Sequence, residues 1–162
     1  MDIMDKIRWA KGCYQVNRDL LLMDIFISKH LTELKKAILA SRNEMKRIGM
    51  LDKCRICSEE GGGSCCGSGI ENRYSGTLLL LNLMLDLSLP EKRTDPGNCF
   101  FLGKDGCVLL ARHVICVNYV CRDINATIGT EGLAKLREHE GTELELIFLL
   151  DEKIKEILAH AG

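Results

Sequence analysis

The chain has 162 residues, 46% of them hydrophobic, and a formal charge of −1. That is enough apolar material for a single domain, 1–162, with its own core, and it excludes a disordered chain. The near-neutral charge argues against nucleic acid as a partner, because duplex binders concentrate a basic excess on one face.

Taken in order, residues 1–18 predict a short helix in which Trp9 anchors the core and Cys13 is a buried thiol without a ligand role. Residues 19–48 predict a long amphipathic helix: Ile27, Leu31, Leu34, Ile38, Met45 and Ile48 recur at alternating four- and three-residue steps. Glu33, Lys35, Lys36, Arg42, Glu44, Lys46 and Arg47 fall between them as its wet face. Acids interrupt the bases and no aromatic residue accompanies them, which disfavours a nucleic-acid stripe.

After Gly49 the composition changes. Cys54-Arg55-Ile56-Cys57 has the spacing at which a tight turn aims two thiolates at one ion. The stretch 58–69, SEEGGGSCCGSG, is too rich in glycine for a packed helix and carries Cys65 and Cys66. Adjacent cysteines point in different directions, so the two serve separate ions, or one ion and a structural contact. Ser75 then caps a helix over 77–87 that is apolar nearly all round and ends before Pro90. The apolar run from Leu78 to Leu89 is too short for a bilayer and contains Asn82 and Asp86, so no membrane association is expected.

Residues 91–98 read as a loop. Cys99 to Leu109 predicts a short β-hairpin turning on Asp105-Gly106, with Cys99 and Cys107 at its ends. Residues 111–121 form a helical turn or irregular segment that contributes Cys116 and Cys121. Helices at 130–140, stopped by Gly141, and at 142–161, opened by a Thr142/Glu145 capping box, close the chain. The last carries Ile147, Leu150, Ile154 and Ile157 on one face, matched to the seam of the 19–48 helix. The helix at 78–87 is expected between these two and the cysteine segment. The fold class is therefore mostly α, with helices at 19–48 and 130–161 packed around an irregular cysteine-rich lobe, 54–121, that includes the hairpin.

Eight of the nine cysteines fall in that lobe: Cys54, Cys57, Cys65, Cys66, Cys99, Cys107, Cys116 and Cys121. Disulfides, redox catalysis, inert buried thiols and metal ligation are the four explanations. Met1 to Asp5 shows no cationic segment leading an apolar one, so a reducing, cytoplasmic location is expected and disulfides lose weight. Thioredoxin-like chemistry at Cys54 and Cys57 lacks the surrounding βαβ pattern. Inert core thiols belong singly on apolar faces, whereas these lie among Gly, Ser, Asp and Lys. Metal ligation by the eight is the reading that remains. Four thiolates suit zinc and iron–sulfur alike. Of the four histidines, His113 alone is placed to ligate or to donate to a thiolate, and Arg55, Arg73, Lys104, Arg112 and Arg122 can balance thiolate charge.

The order of these motifs, with Cys99-Phe-Phe-Leu-Gly-Lys-Asp-Gly-Cys107 followed by Ala111-Arg112-His113-Val114-Ile115-Cys116 and Cys121, resembles the zinc- or iron-chelating CxxCxxCC (YkgJ-type) family, which includes flagellin lysine-N-methylase. The resemblance implies that all eight cysteines ligate metal ions and gives Arg112 a specific role. It leaves two functions open: a zinc- or iron-binding protein whose site is mainly structural, and an iron–sulfur oxidoreductase or methyltransferase-like, protein-modifying enzyme. Seven residues separate Cys57 from Cys65 where the family has two or three, and His113 stands where it has proline.

Overall fold

A computed structural model describes residues 1–59 and 66–162, with the side chains of residues 55, 57–59 and 122 left undescribed. It is mostly helical, as expected. Helix α1 (Ile3–Met23) and helix α2 (Ile25–Arg47) replace the predicted short helix and long helix. The break lies at Asp24, whose backbone is extended and whose carboxylate accepts from the Ile27 N–H at 2.9 Å, capping a new helix. The helix that carries the seam therefore starts at Ile25 rather than at residue 19, with the seam from Ile27 intact, and α1 (Ile3–Met23) is longer than expected.

Gly49, at φ 78°, ends the second helix region. Helix α3 (Met50–Glu59) follows, so Cys54 and Cys57 sit one helical turn apart rather than across a tight turn. Ser58 and Glu59 belong to its last turn. Residues 60–65, the heart of the expected glycine-rich wrap and including Cys65, lie outside the described residues.

A 3₁₀ turn (Ile70–Arg73) leads into helix α4 (Gly76–Met84), capped as expected by Ser75, whose hydroxyl accepts from the Leu78 N–H at 3.1 Å. The helix stops at Leu85, where Asp86 takes φ 65°, before Pro90 can act. Trp9 is 41% exposed rather than a core anchor. Its ring lies across Gly76, where a Cβ would meet the indole Cε3 at 2.5 Å, so glycine is what allows the close approach.

Strands β1 (Leu102–Gly103) and β2 (Gly106–Cys107) form the predicted antiparallel hairpin, Leu102 opposite Cys107. Gly106 supplies the left-handed backbone at φ 105°. Helix α5 (Val114–Asn118) is a single turn, and helix α6 (Arg122–Ala161) completes the chain.

The two expected C-terminal helices are one path. Its kink falls at Gly129, with φ 77° and ψ 167°, and Gly141 passes through it in helical form. The Thr142 hydroxyl bonds back to the Glu138 carbonyl at 3.5 Å and caps nothing. Glycine inside a helix costs about 1 kcal/mol; here Leu136, Leu150 and Ile154, all fully buried, hold both sides of Gly141 to the protein interior and outweigh it.

The most extensive packing is α2 along α6, as the matching seams predict. Helix α4 leans chiefly on α1 and less on α6, so it flanks the pair rather than separating it from the lobe. One apolar cluster joins α1, α2, α4 and α6 with Phe100, Phe101 and Leu109; a smaller one joins Met45, Met50, Ile124, Leu133 and Leu136. Glu44, expected on the wet face, is 4% exposed and accepts from Arg47 at 2.9 Å. Arg42 also turns inward, donating to the Leu109 carbonyl at 2.8 Å. Cys13 is partly rather than fully buried and accepts weakly from the Asn17 amide.

A cysteine-lined cavity as candidate metal centre

Three devices hold the lobe's irregular backbone. Asn82 is the first: the one polar residue in the apolar run Leu78 to Met84, fully buried, it accepts from the Leu110 and Ala111 N–H groups at 2.8 and 3.0 Å and donates to the Ala111 carbonyl at 2.9 Å. The stretch leading to Cys116 is thereby fixed to α4. The second is Glu71, buried in the 3₁₀ turn. It accepts from the Gly69 N–H at 2.8 Å and pairs with Arg93, which also donates to the Asn98 carbonyl and to Ser68 Oγ. This joins the Cys66 and Cys99 segments, whose backbones meet directly where the Cys99 N–H donates to the Cys66 carbonyl at 2.7 Å. The third is Tyr74, 1% exposed and edge-on to Phe101. Its hydroxyl accepts from the His113 N–H at 3.1 Å and donates to Cys116 Sγ at 3.6 Å.

These contacts bring four cysteines, from four separate segments, to the wall of one cavity of about 220 Å³: Cys66, Cys99, Cys107 and Cys116. Ile70, Leu102, Ile115 and Tyr119 make most of the remaining wall apolar, and Tyr74 and Arg112 supply polar atoms. Burial pushes the Cys99 thiol up to about 11 and raises Cys107 as well. The Phe101 and Leu109 backbone amides oppose this at Cys99 and Cys107 respectively, and Arg112 and Arg42 add their charge at Cys107. Those amides turned toward sulfur are the kind of contact that lowers the cost of a thiolate in a metal centre.

The other expected ligands are placed differently. Cys54, on α3, and Cys121, the residue preceding α6, pack against the smaller apolar cluster with Met50 and Ile124 and do not line the cavity. Helix α3 does run beside β2, which ends in Cys107. The Cys57 side chain and Cys65 lie outside the described residues. His113 turns one ring nitrogen to the backbone: its Nδ1 accepts from the Ile115 N–H at 3.1 Å, capping α5. Burial, with Arg73 nearby, holds its pKa below the ordinary histidine value, the direction that suits an acceptor nitrogen.

Among the described residues no three His, Cys, Asp or Glu side chains converge closely enough to hold a metal ion. The four thiols are arrayed around a space instead of pinched on a point. As a donor set they fit zinc or iron; as a preformed tetrahedron for one ion they do not.

Tyr74, Glu71, Arg93 and Asn82 escaped the sequence reading. Only Asn82 carried a usable signal, because a polar residue within Leu78 to Met84 must be hydrogen-bonded when that helix is buried. The other three are recognisable only once distant segments meet.

No family model matches the chain, and no curated protein and no solved structure matches it either. The likeness to the CxxCxxCC family rests on its motif residues alone. Among the described residues no helix is long and apolar enough to cross a membrane.

Proposed function

We propose that the chain is a metal-binding protein whose clustered cysteines chelate zinc or iron. The observation that carries this is the cavity wall. Cys66, Cys99, Cys107 and Cys116 come from a turn, a loop, a strand and a helix, and four thiols from unrelated segments around one space are hard to explain as apolar filler. These four are the core ligands in this reading, and Cys54, Cys57, Cys65 and Cys121 complete the set of eight. The metal supplies cross-links between segments too short of apolar surface to fold alone, so its role is mainly structural. The chain's own residues hold the thiolates: backbone amides of Phe101 and Leu109 and the Tyr74 hydroxyl face sulfur, Arg112 and Arg42 offset negative charge, and Ile70 and Leu102 keep the inner wall apolar. A reducing compartment such as the cytoplasm keeps the thiols available.

A second reading, an iron–sulfur oxidoreductase or protein-modifying enzyme, is favoured by one feature. Thiols spread around about 220 Å³ suit a group of several atoms better than a lone ion.

Anaerobic purification followed by metal analysis and an absorption spectrum tests both. Bound zinc with no visible absorption is expected for the first, and a brown protein for the second; Cys99→Ser and Cys107→Ser should each lose most of the metal. Less than about half an equivalent of any transition metal in the anaerobic wild-type protein overturns the proposal.

A further inference from the structure

Arg112 is 9% exposed, lines the cavity, and is the only charged residue among its described walls. Its hydrogen bonding is incomplete. One terminal nitrogen reaches Met45 Sδ at 3.9 Å, Nε has no partner, and among the described residues the guanidinium forms no ion pair. Glu140 and Glu143 lie on its α6 side without closing one, and Glu143 Oε2 is itself unpaired. A guanidinium buried with donors unused is costly unless an anion completes it. Besides the four thiols and Tyr74, the space it borders is walled by Ile70, Leu102, Ile115 and Tyr119, and its lining is mostly apolar. Ile115 and Tyr119 are 45% and 55% exposed, so this wall reaches solvent and gives a ligand a way in.

We propose that the cavity binds a small organic monocarboxylate with a compact apolar body, its carboxylate paired with Arg112 and its body against Ile70, Leu102 and Ile115. A carboxylate matches the planar fork of a guanidinium and carries the single charge that one arginine balances. A phosphate dianion on the same cation would leave charge uncompensated in an apolar site. The volume agrees with the chemistry: about 220 Å³ is several times the roughly 30 Å³ share of one water, so a single ion would leave most of it unfilled. This carboxylate site is built from Arg112 and the apolar wall, and it shares the cavity with the proposed metal without depending on it.

The test is a titration of the full chain, as purified, with butyrate, butyramide and inorganic phosphate, followed by equilibrium dialysis and by shifts of the Ile115 methyl resonances. Saturable butyrate binding is expected, at least about tenfold weaker for butyramide, which has the same shape without the charge. Arg112→Gln should weaken butyrate by a similar factor, and Arg112→Lys should recover only part, having the charge without the fork. The butyramide comparison uses the unaltered protein and stands even if a variant misfolds. No saturable butyrate binding, equal binding of butyrate and butyramide, or tighter binding of phosphate each overturns the proposal. Protein that holds no metal yet binds butyrate by this pattern overturns the metal reading and supports this one; protein that holds metal and ignores butyrate does the reverse.

Discussion

The helical frame and the cysteine lobe hold themselves by opposite means. In the frame, α1, α2, α4 and α6 bury Ile7, Leu21, Ile27, Leu34, Leu79, Leu80, Leu81 and Leu150 almost completely, and burial of side chains of that size is worth about 1.5–3 kcal/mol each before entropy. The lobe has two-residue strands, a single-turn helix and a 3₁₀ turn. Its order comes from buried polar groups that each tie several backbone atoms: Asn82, Glu71 and Tyr74. Non-directional burial tolerates local change, whereas a buried polar anchor fails as a unit when one member is lost. The frame should therefore yield by degrees and the lobe abruptly.

The largest effect is expected in the frame. Leu34 is fully buried in α2, the helix that both packs on α6 and sends Arg42 to the Leu109 carbonyl. Leu34→Ala should cost about 3–5 kcal/mol, read as a shift in the urea midpoint. Because α2 supports both regions, helix and hairpin signals should move together; separate transitions would show that the lobe holds without the frame.

Next comes the joint between them. Asn82→Ala leaves the Leu110 and Ala111 N–H groups and the Ala111 carbonyl without their partner, at a cost of about 2–4 kcal/mol. Amide exchange should accelerate most at Leu110, Ala111 and the hairpin, with the α1 amides slower to respond. Equal acceleration in α1 would erase the distinction between the two regions.

What the sequence made legible follows the same divide. The Ser75 cap, the Asp105-Gly106 hairpin and the matching of the α2 and α6 seams are readable because each is set by residues close together or by a repeated period. The break at Asp24 and the absence of one at Gly141 are not. Asp24 lies just ahead of the seam, inside the stretch expected to be one helix, yet caps a new helix, while Gly141 looks like a stop but is carried through by burial on both sides. In the lobe, the clustering of cysteines along the chain was legible, but their partition in space was hidden. Cys66, Cys99, Cys107 and Cys116 share a cavity while Cys54 and Cys121 pack elsewhere, a grouping that depends on Asn82, Glu71 and Arg93 pulling loops together. His113 illustrates the limit: its position near Cys116 suggested a group that ligates or donates to a thiolate, and only the folded backbone shows its Nδ1 capping α5.

The smallest of the three effects sharpens the contrast by making it depend on pH. Burial alone would push Glu71 up, but Arg93, the Gly69 amide and its own backbone N–H outweigh it and hold the carboxyl below the ordinary glutamate value. A carboxylate with a lowered folded pKa contributes stability that is present above its unfolded value and lost as pH falls through the folded one. Glu71 is 3% and Arg93 26% exposed in their side chains, so Glu71→Gln should cost about 2–3 kcal/mol at neutral pH, toward the low side for breaking a buried pair because Arg93 can reach water. That cost should shrink as the wild-type protein is acidified below the ordinary glutamate range, until variant and parent converge. Thermal melts of both proteins from neutral to strongly acid pH check it. Since Arg93 also holds the Asn98 carbonyl beside Cys99, the hairpin amides of the variant should lose protection at neutral pH while those of α2 keep theirs. A constant difference across the whole range would show that Glu71 acts by shape and not by charge, and the lobe's polar anchors would then be no different in kind from the packing of the frame.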